Sequence, residues 1–350
     1  MKKLNKTTVN LLQTIAGLVV AYAVLMILSA TGNLSNTMTS VLVMLCMYSI
    51  VAVALNLCVG YLGELSLGHA GFMSVGAFSS AAFSMATQDT ITNVILRFVL
   101  ALIVGTLCAA VMGFLIGIPV LRLNGDYLAI VTLAFGEIIK GLLNVFYLGK
   151  DSSGLHVAFL DDKAIELDDT GTMIIDGAKG VIGMTKVSTF TIAMILLILS
   201  LVVVTFLVNS RAGRAIMAIR DNRIAAESVG IPITKYKMIA FTISAAIAGV
   251  AGVVYSHALS SMTASKFDFN LSILVLVFVV LGGLGNFRGS IIAAVVLTLL
   301  PELLRGLSGY RMLIYAILLI VMMLFNWAPA AIDWRKRTVA KFKKTKKEEA

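Results

Sequence analysis

The sequence predicts an all-α fold, a polytopic bundle of about ten transmembrane helices, some broken or re-entrant, with both termini in the cytoplasm. Three observations support this prediction. Hydrophobic residues make up 59% of the chain and charged residues only 13%, the mean hydropathy is +0.98, and the basic residues cluster between apolar runs. A water-soluble fold cannot bury so much apolar surface, whereas a bilayer accommodates it.

Helices rather than a β-barrel are expected to form the spans. Lipid offers the backbone no hydrogen-bond partners, so spanning segments are either helices or closed barrels. Runs such as 271–281 and 312–325 lack the alternation of apolar and polar residues that barrel strands show. The predicted spans are 11–30, 39–59, 68–87, 94–118, 127–148, 189–209, 237–258, 271–285, 289–304 and 312–328.

The positions of the 28 Lys and Arg residues predict the orientation. Three lie in residues 2–6, six in 211–237 and eight in 335–347, and the positive-inside rule assigns such flanking segments to the cytoplasm. Segment 149–188 holds seven acidic residues against four Lys and is predicted to be extracytoplasmic, with a short hairpin or helix. The net charge of +10 therefore reflects membrane topology and contact with lipid headgroups, and nucleic acid is not expected as a partner.

Catalytic and metal-binding patterns are missing from the sequence. It has no G-x-x-x-x-G-K-[ST] loop, so ATP is not expected to bind this chain by that route. Cys46, Cys58 and Cys108 lie in apolar runs without the spacing of metal ligands, and we expect them to pack as small apolar side chains. The sequence predicts no enzyme, no cofactor and no metal site, so any energy that the protein uses is expected to come from a partner or a gradient.

Glycines interrupt the apolar chain at 60–72, GYLGELSLGHAGF. Each Gly loosens a helix by about 1 kcal/mol relative to Ala. Broken helices at membrane depth occur where protein or a water-filled cavity satisfies the backbone. Glu64, Ser66 and His69 are therefore candidates for a translocation pathway or gate. The alternatives are an interfacial structural partner for Glu64 and a simple packing role for His69.

Glu137 is a fourth polar candidate for the pathway. Glu137 and Lys140 are three residues apart in a predicted span, which places both on one helix face. We expect them either to form a neutralised structural pair or to line the cavity.

The most informative segment is the polar stretch 209–237, NSRAGRAIMAIRDNRIAAESVGIPITKYK, between two strong spans. Residues 214–229 contain neither Gly nor Pro, and Gly230 and Pro232 follow, which predicts a short helix along the cytoplasmic face. It is either an ordinary amphipathic loop helix or a helix that docks a cytoplasmic motor protein, with Ala225 and Ala226 seated in a groove of that protein.

The same segment resembles the coupling-helix motif E-A-A-x-x-x-G of ABC importer permeases. Ala225, Ala226 and Gly230 match the motif, whereas Ile224 stands at its Glu position and Glu227 comes one turn later. The longer pattern from Gly213 to Ile231 resembles the branched-chain amino acid ABC transporter permease family. By this resemblance, the residues that couple to an ATPase are Arg214, Arg220, Asn222, Ala225, Ala226, Glu227, Gly230 and Ile231.

Further strings extend the resemblance over residues 40–330. The strings 60–72 and 281–289, LGGLGNFRG, are similar to that family, and 125–137, GDYLAIVTLAFGE, resembles its LivM-type subunit, which pairs with a related LivH-type permease. The resemblance implies a multi-pass protein of the bacterial cell membrane that translocates leucine, isoleucine and valine. It also implies two cytoplasmic ABC ATPases, a second permease in a heterodimer and an extracytoplasmic binding protein as partners.

Other functions stay open from the sequence alone. An ABC permease for urea or short amides, nucleosides or sugars would show the same features, because the binding protein mainly selects the cargo. An ion-coupled secondary transporter explains the spans and Glu64 but not the motif-bearing polar segment. The predicted domains are a permease domain, 1–334, with an extracytoplasmic loop at 149–188 and a cytoplasmic coupling segment at 210–236, and a basic cytoplasmic tail, 335–350.

Overall fold

A computed structural model describes residues 6–30, 36–123, 125–151, 154–160 and 171–304, together with 310, 313–314, 316–317, 319–321 and 324. The predicted tail, 335–350, lies outside these residues, as does much of the predicted last span, 312–328. The chain divides into two compact units, Met1–Ala294 and Val295–Ala350. The first is described below; in the second, the described residues are the end of one helix and helical positions between 313 and 324.

The described chain is mostly helical. Its α-helices are α1 Lys6–Ala30, α2 Asn36–Asn56, α3 His69–Ala86, α4 Val94–Val120, α5 Asp126–Asn144, α6 Phe190–Asn209, α7 Arg211–Asp221, α8 Arg223–Ser228, α9 Ile233–Ala258, α10 Phe269–Gly282 and α11 Phe287–Leu303. A π-helix, Leu57–Leu62, continues α2, and single 3-10 turns lie at Gly177–Lys179 and Ala264–Lys266. The strands are β1 Phe146–Lys150, β2 Leu155–Phe159, β3 Thr172–Asp176, β4 Val181–Ile182 and β5 Ser261–Met262.

Five helical stretches in the described chain are long and apolar enough to cross a bilayer, judged by length and composition. They are Met38–Leu62, Val94–Val120, Phe190–Asn209, Ile233–Ala258 and Ala264–Gly282, and a shorter apolar stretch covers Gln13–Leu28. Helices also occupy the other predicted spans up to residue 304. The helical membrane class is therefore confirmed, while the count of ten spans stays a prediction.

Side-chain caps set where several helices begin. A residue with a short polar side chain before the first turn accepts hydrogen bonds from backbone N–H groups that have no partner within the helix. Five helices, α4, α6, α7, α8 and α10, start in this way. Their capping residues are Asn93, Thr189, Ser210, Asn222 and Asp268, respectively.

The core of the first unit lies where α9 packs against α2, α3 and α4. Small residues make these contacts close: a Cβ on Gly252 would lie 2.0 Å from the carbonyl oxygen of Met73, and one on Gly76 would lie 2.5 Å from that of Gly249. Phe72 and Phe241 fill the neighbouring space with an edge-to-face contact whose ring centroids are 5.5 Å apart. Close packing by small residues is how helices associate without a hydrophobic driving force in lipid.

A small antiparallel sheet follows α5. Its strand order is β2-β1-β3, and β4 pairs separately with β5. A short hairpin or helix is predicted for 149–188, and the antiparallel pair β1 and β2 forms a hairpin at the start of that segment. β1 begins at Phe146, inside the predicted span 127–148, because α5 ends at Asn144. Lys150 holds the sheet to the end of α3, donating to the Ala86 carbonyl at 2.9 Å and to Asp89 Oδ2 at 2.6 Å. This hydrogen bond holds the pKa of the Asp89 carboxyl below its ordinary value.

Candidate functional site: the helix break and the helices beside it

The predicted helix break is present and begins at Leu57, three residues before the first glycine of the string. After the π-helix the chain is non-helical over 63–68, and α3 starts at His69. Gly63 ends the π-helix with a φ of +80°, a left-handed conformation that a residue with a Cβ adopts only with strain. π-helical turns are rare and often lie at functional sites.

Asn56 ties this break to the turn between α10 and α11. It is fully buried, its Nδ2 donates to Ser290 Oγ at 2.7 Å, and its Oδ1 accepts from the Gly285 N–H at 2.8 Å. A Cβ on Gly60 would lie 2.0 Å from Asn56 Oδ1 and 2.3 Å from the Gly285 nitrogen. The π-helix and the 283–286 turn are therefore in direct backbone contact.

His69 lies in a buried network that joins the break to two core helices. Ser244 Oγ donates to the Ala54 carbonyl at 2.6 Å, so its single proton is committed and it accepts from His69 Nε2 at 2.7 Å. In the neutral ring, Nδ1 then accepts from Ser66 Oγ at 3.2 Å. His69 is only 1% exposed, so in this conformation the ring packs between helices, and contact with a solute requires this network to open.

Glu64 forms a buried ion pair with Lys237 in the first turn of α9. The Lys237 side chain is 4% exposed and that of Glu64 12%. Glu64 is predicted from the sequence as a site residue, whereas Lys237 stands out there only as one charge of a basic segment. The two residues are 173 positions apart, and no local spacing signals such a pair.

Breaking this pair is expected to destabilise the protein strongly. Lys237→Ala leaves a poorly solvated carboxylate and should lower the free energy of unfolding by about 3 kcal/mol. The double variant Glu64→Gln/Lys237→Met removes both charges and should recover most of that loss. Thermal unfolding of the purified variants in one detergent gives the comparison. A double variant no more stable than Lys237→Ala would show that the pair is not the source of the stability.

Glu137 does not join this network. Its described contacts are an ion pair with Lys140 on the same face of α5 and a hydrogen bond from the Phe269 N–H to its Oε1 at 3.1 Å. The predicted pairing of Glu137 with Lys140 is confirmed. The side chains are 38% and 24% exposed, respectively, so the pair also remains accessible beside the start of α10.

The polar segment predicted as one helix forms two. Asn222 leaves the helical conformation with φ −156° and ψ 105°, and its side chain accepts from the Ala225 N–H at 3.0 Å to cap α8. Gly230 follows α8 with a φ of +81°. A small apolar cluster made by Ile219, Ala226 and Ile233 joins α7 and α8 to α9, and Ile231 and Tyr236 pack on it. Ala226 is therefore seated in the chain's own core and is not presented to a partner.

The other residues predicted to couple differ in exposure. Arg214 is exposed and donates to the Asn209 carbonyl at 3.2 Å, which helps to end α6. Ala225, Glu227 and Gly230 are exposed. Two apolar side chains that the prediction left out of this set also face outward, Ile224 at 80% and Val229 at 75% exposure. The segment thus presents apolar side chains within a polar surface.

Arg220 connects α7 to the helix break. Its Nη1 donates to the Gly60 carbonyl at 2.9 Å, and a Cβ on Gly63 would lie 2.6 Å from Arg220 Cγ. Asp221 Oδ1 accepts from Nε and Nη2 of Arg220 at 3.0 and 2.8 Å, which orients the guanidinium. Arg220 therefore links α7 directly to the backbone of the π-helix.

A cavity of about 350 Å³ lies between α7, α8, the break and the start of α5. Its charged lining residues are Glu64, Asp126, Arg220, Arg223 and Lys237. Within the part of the chain that the structure describes, no group of His, Cys, Asp and Glu has the arrangement of a metal site. The cavity therefore has charged walls of both signs where the polar segment meets the helix break.

Comparison with known proteins identifies the family. Residues 37–325 match the family described as branched-chain amino acid transport system / permease component. The chain is 36% identical over 295 residues to the high-affinity branched-chain amino acid transport system permease protein LivM of Salmonella typhimurium, covering 81% of this chain and 67% of that protein. It is 36% identical over 294 residues to LivM of Escherichia coli, with the same coverage.

A more distant relative is the fructose import permease protein FruG of Bifidobacterium longum, which is 24% identical over 76% of this chain and 77% of that protein. No solved structure matches the chain. The relatives and the apolar helices together make it a multi-pass protein of the bacterial inner membrane. Because the family match covers most of the sequence, the chain belongs to the permease components of branched-chain amino acid transport systems, and it is of the LivM type.

Proposed function

We propose that this chain is a membrane-spanning subunit of an ABC importer that carries leucine, isoleucine and valine. The family and the names of the two relatives that are 36% identical support the cargo. The contact between Arg220 of α7 and the Gly60 carbonyl of the π-helix carries the mechanism, because it joins a polar surface helix to a break in a membrane helix. In this proposal ATP is bound and hydrolysed by the partner subunits and not by this chain.

The partners follow from this function. Two cytoplasmic ABC ATPases act on the segment 211–230, a second, homologous permease completes a heterodimer, and an extracytoplasmic protein delivers the cargo. The topology that fits them has ten spans and both termini in the cytoplasm, because the basic segment containing α7 and α8 then lies inside. The acidic segment 149–188 lies outside in this arrangement and is available to the binding protein.

The proposed transport step is a rigid-body change driven from α7 and α8. ATP-dependent closure of the ATPases pushes this pair of helices, Arg220 transmits the displacement to the π-helix, and the bundle switches the side from which its pathway is open. The break residues Glu64, Ser66 and His69 act as a gate. Glu64 pairs with Lys237 and His69 bonds to Ser244, which holds the break closed against α9, and Ser66 donates to His69 within the break. Glu137 contributes a polar wall beside α10.

The docking surface is tested by Gly230→Arg. An Arg side chain places bulk and charge beside the exposed Val229, so we expect association with the ATPases to be lost while membrane insertion is unchanged. The φ of +81° at Gly230 strains any other residue, so Gly230→Ala is the matched control: it carries the same strain without the bulk, and no atom lies within 4 Å of its new Cβ. Co-purification of the ATPases is the measurement. Normal co-purification with Gly230→Arg counts against docking at this site.

The cargo is tested separately from the coupling. Reconstituted with its partners, the chain should support ATP-dependent uptake of labelled leucine that unlabelled isoleucine and valine inhibit. The relative named as a fructose import permease makes a sugar the second candidate. Uptake that fructose inhibits and leucine does not would favour that cargo while leaving the importer mechanism intact.

A further inference from the structure

A second cavity, of about 370 Å³, lies at the end of the bundle that carries α7. It is lined by residues of the first half of α1, the π-helix, the second half of α6, the 283–286 turn and the start of α11. Because α6 runs directly into α7, this cavity sits at the same membrane boundary as the proposed coupling surface. The proposed transport mechanism does not use it.

The lining of this cavity has a polar portion and an apolar portion. Its one charged lining residue among those that the structure describes is Arg288, and no carboxylate lines it there. Tyr61 and Asn286 add groups that donate hydrogen bonds, whereas Leu201 and Val208 of α6 supply an apolar wall. A cation with neighbouring donors beside an apolar wall matches a ligand with an anionic head and an acyl chain.

The Arg288 guanidinium is held at the cavity by α1. Its Nε donates to Thr14 Oγ1, and the planar guanidinium carries five N–H donors in a fixed fork that fits phosphate oxygens. The Tyr61 ring stacks on Phe287 with ring centroids 4.8 Å apart. This contact places the Tyr61 phenol beside the first turn of α11, which carries Arg288. Both contacts join different helices, so the site is built by the fold and not by one mobile surface residue.

We propose that this cavity binds the phosphate-bearing headgroup of an anionic phospholipid from the adjacent leaflet, with Arg288 as its charged contact. The apolar wall of α6 then accommodates the start of an acyl chain. This position has a mechanical consequence, because Gly285 lines the cavity and its N–H donates to Asn56 Oδ1 at 2.8 Å. A bound lipid therefore stabilises the turn on which the π-helix rests.

Native mass spectrometry tests this site on the full chain purified with its partners. The protein should retain one molecule of phosphatidylglycerol per chain, and it should retain this lipid more strongly than phosphatidylcholine. Arg288→Gln should weaken that retention by about fivefold, the effect of one cationic side chain near a headgroup. Arg288→Lys should keep most of it. Arg122→Gln is the matched control, since Arg122 is an exposed cation at the end of α4 that does not line the cavity.

Three results would overturn the proposal. The first is equal retention of the two lipids by the unchanged protein. The second is an equal loss of phosphatidylglycerol retention in Arg288→Gln and Arg122→Gln. The third is displacement of the lipid by free glycerol phosphate at matched concentration. The last result would assign the site to a soluble phosphate compound instead of a lipid. The comparison of lipids on the unchanged protein needs no variant, so it holds even if Arg288→Gln fails to fold. Loss of coupling in Gly230→Arg leaves this site untouched, so the two proposals fail independently.

Discussion

Arg220→Ala is expected to uncouple ATP hydrolysis from uptake. The substitution removes the hydrogen bond from Nη1 to the Gly60 carbonyl, whereas the outward-facing Ile224 and Val229 of the docking surface are unchanged. A hydrogen bond from a charged donor contributes about 1.5–3 kcal/mol, so we expect ATP-dependent uptake to fall about tenfold or more. Association with the ATPases and their basal hydrolysis should stay near normal. Uptake and hydrolysis measured in the same proteoliposomes give the ratio.

The matched control for this prediction is Arg211→Ala. Arg211 is an exposed cation in the first turn of the same helix, so its loss changes the charge of α7 equally without touching the break. Uptake by Arg211→Ala should remain close to normal. If both variants lose uptake to the same extent, then the charge of the segment matters and the contact with Gly60 does not.

Gly60→Ala should both destabilise the protein and abolish transport. The new methyl group would lie 2.0 Å from Asn56 Oδ1 and 2.3 Å from the Gly285 nitrogen, and the second of these is a backbone atom that moves only if the 283–286 turn opens. Overpacking of this kind costs about 1–3 kcal/mol. We expect a lower thermal unfolding temperature in detergent and uptake close to background.

Gly141→Ala provides the comparison for Gly60→Ala. Gly141 also lies in a helical segment, but it is exposed and no atom lies within 4 Å of an added Cβ. Since Ala favours a helix by about 1 kcal/mol over Gly, this variant should be at least as stable as the unchanged protein. A Gly60→Ala protein with normal stability and uptake would show that the π-helix and the turn do not need their close contact.

The sequence predicts the helices better than it predicts their joints. Apolar runs and the distribution of Lys and Arg locate the helices up to residue 304, and glycines locate the break in 60–72. The exact form of the break depends on tertiary contacts. Asn56, which directly precedes it, bonds to Gly285, 229 residues away, and Arg220 bonds to Gly60, 160 residues away. Nothing in a local pattern predicts such distant bonds.

Other features of the structure differ from the sequence-based predictions for different physical reasons. The division of α7 from α8 follows from Asn222, a residue type that caps helices, so the signal was present and was outweighed by the absence of Gly and Pro. The burial of Ala226 depends on how α8 turns toward α9, which no single helix pattern contains. In the segment 149–188, acidic composition predicts exposure but not strand register. The pairing of β1 with β2 is regular, whereas its pairing with β3 has an irregularity between Leu148 and Gly149.

The central claim is that the pair α7 and α8 is the surface through which a cytoplasmic ATPase moves the bundle. A photo-crosslinking amino acid at Ile224 in the complete transporter tests it directly, with Leu160 as the counterpart. Both side chains are 80% exposed, and they lie toward opposite ends of α6, a helix about 30 Å long. We expect a crosslinked product with the ATPase from position 224 and none from position 160. Crosslinking of the ATPase from position 160, or of no protein from position 224 during transport, would contradict it.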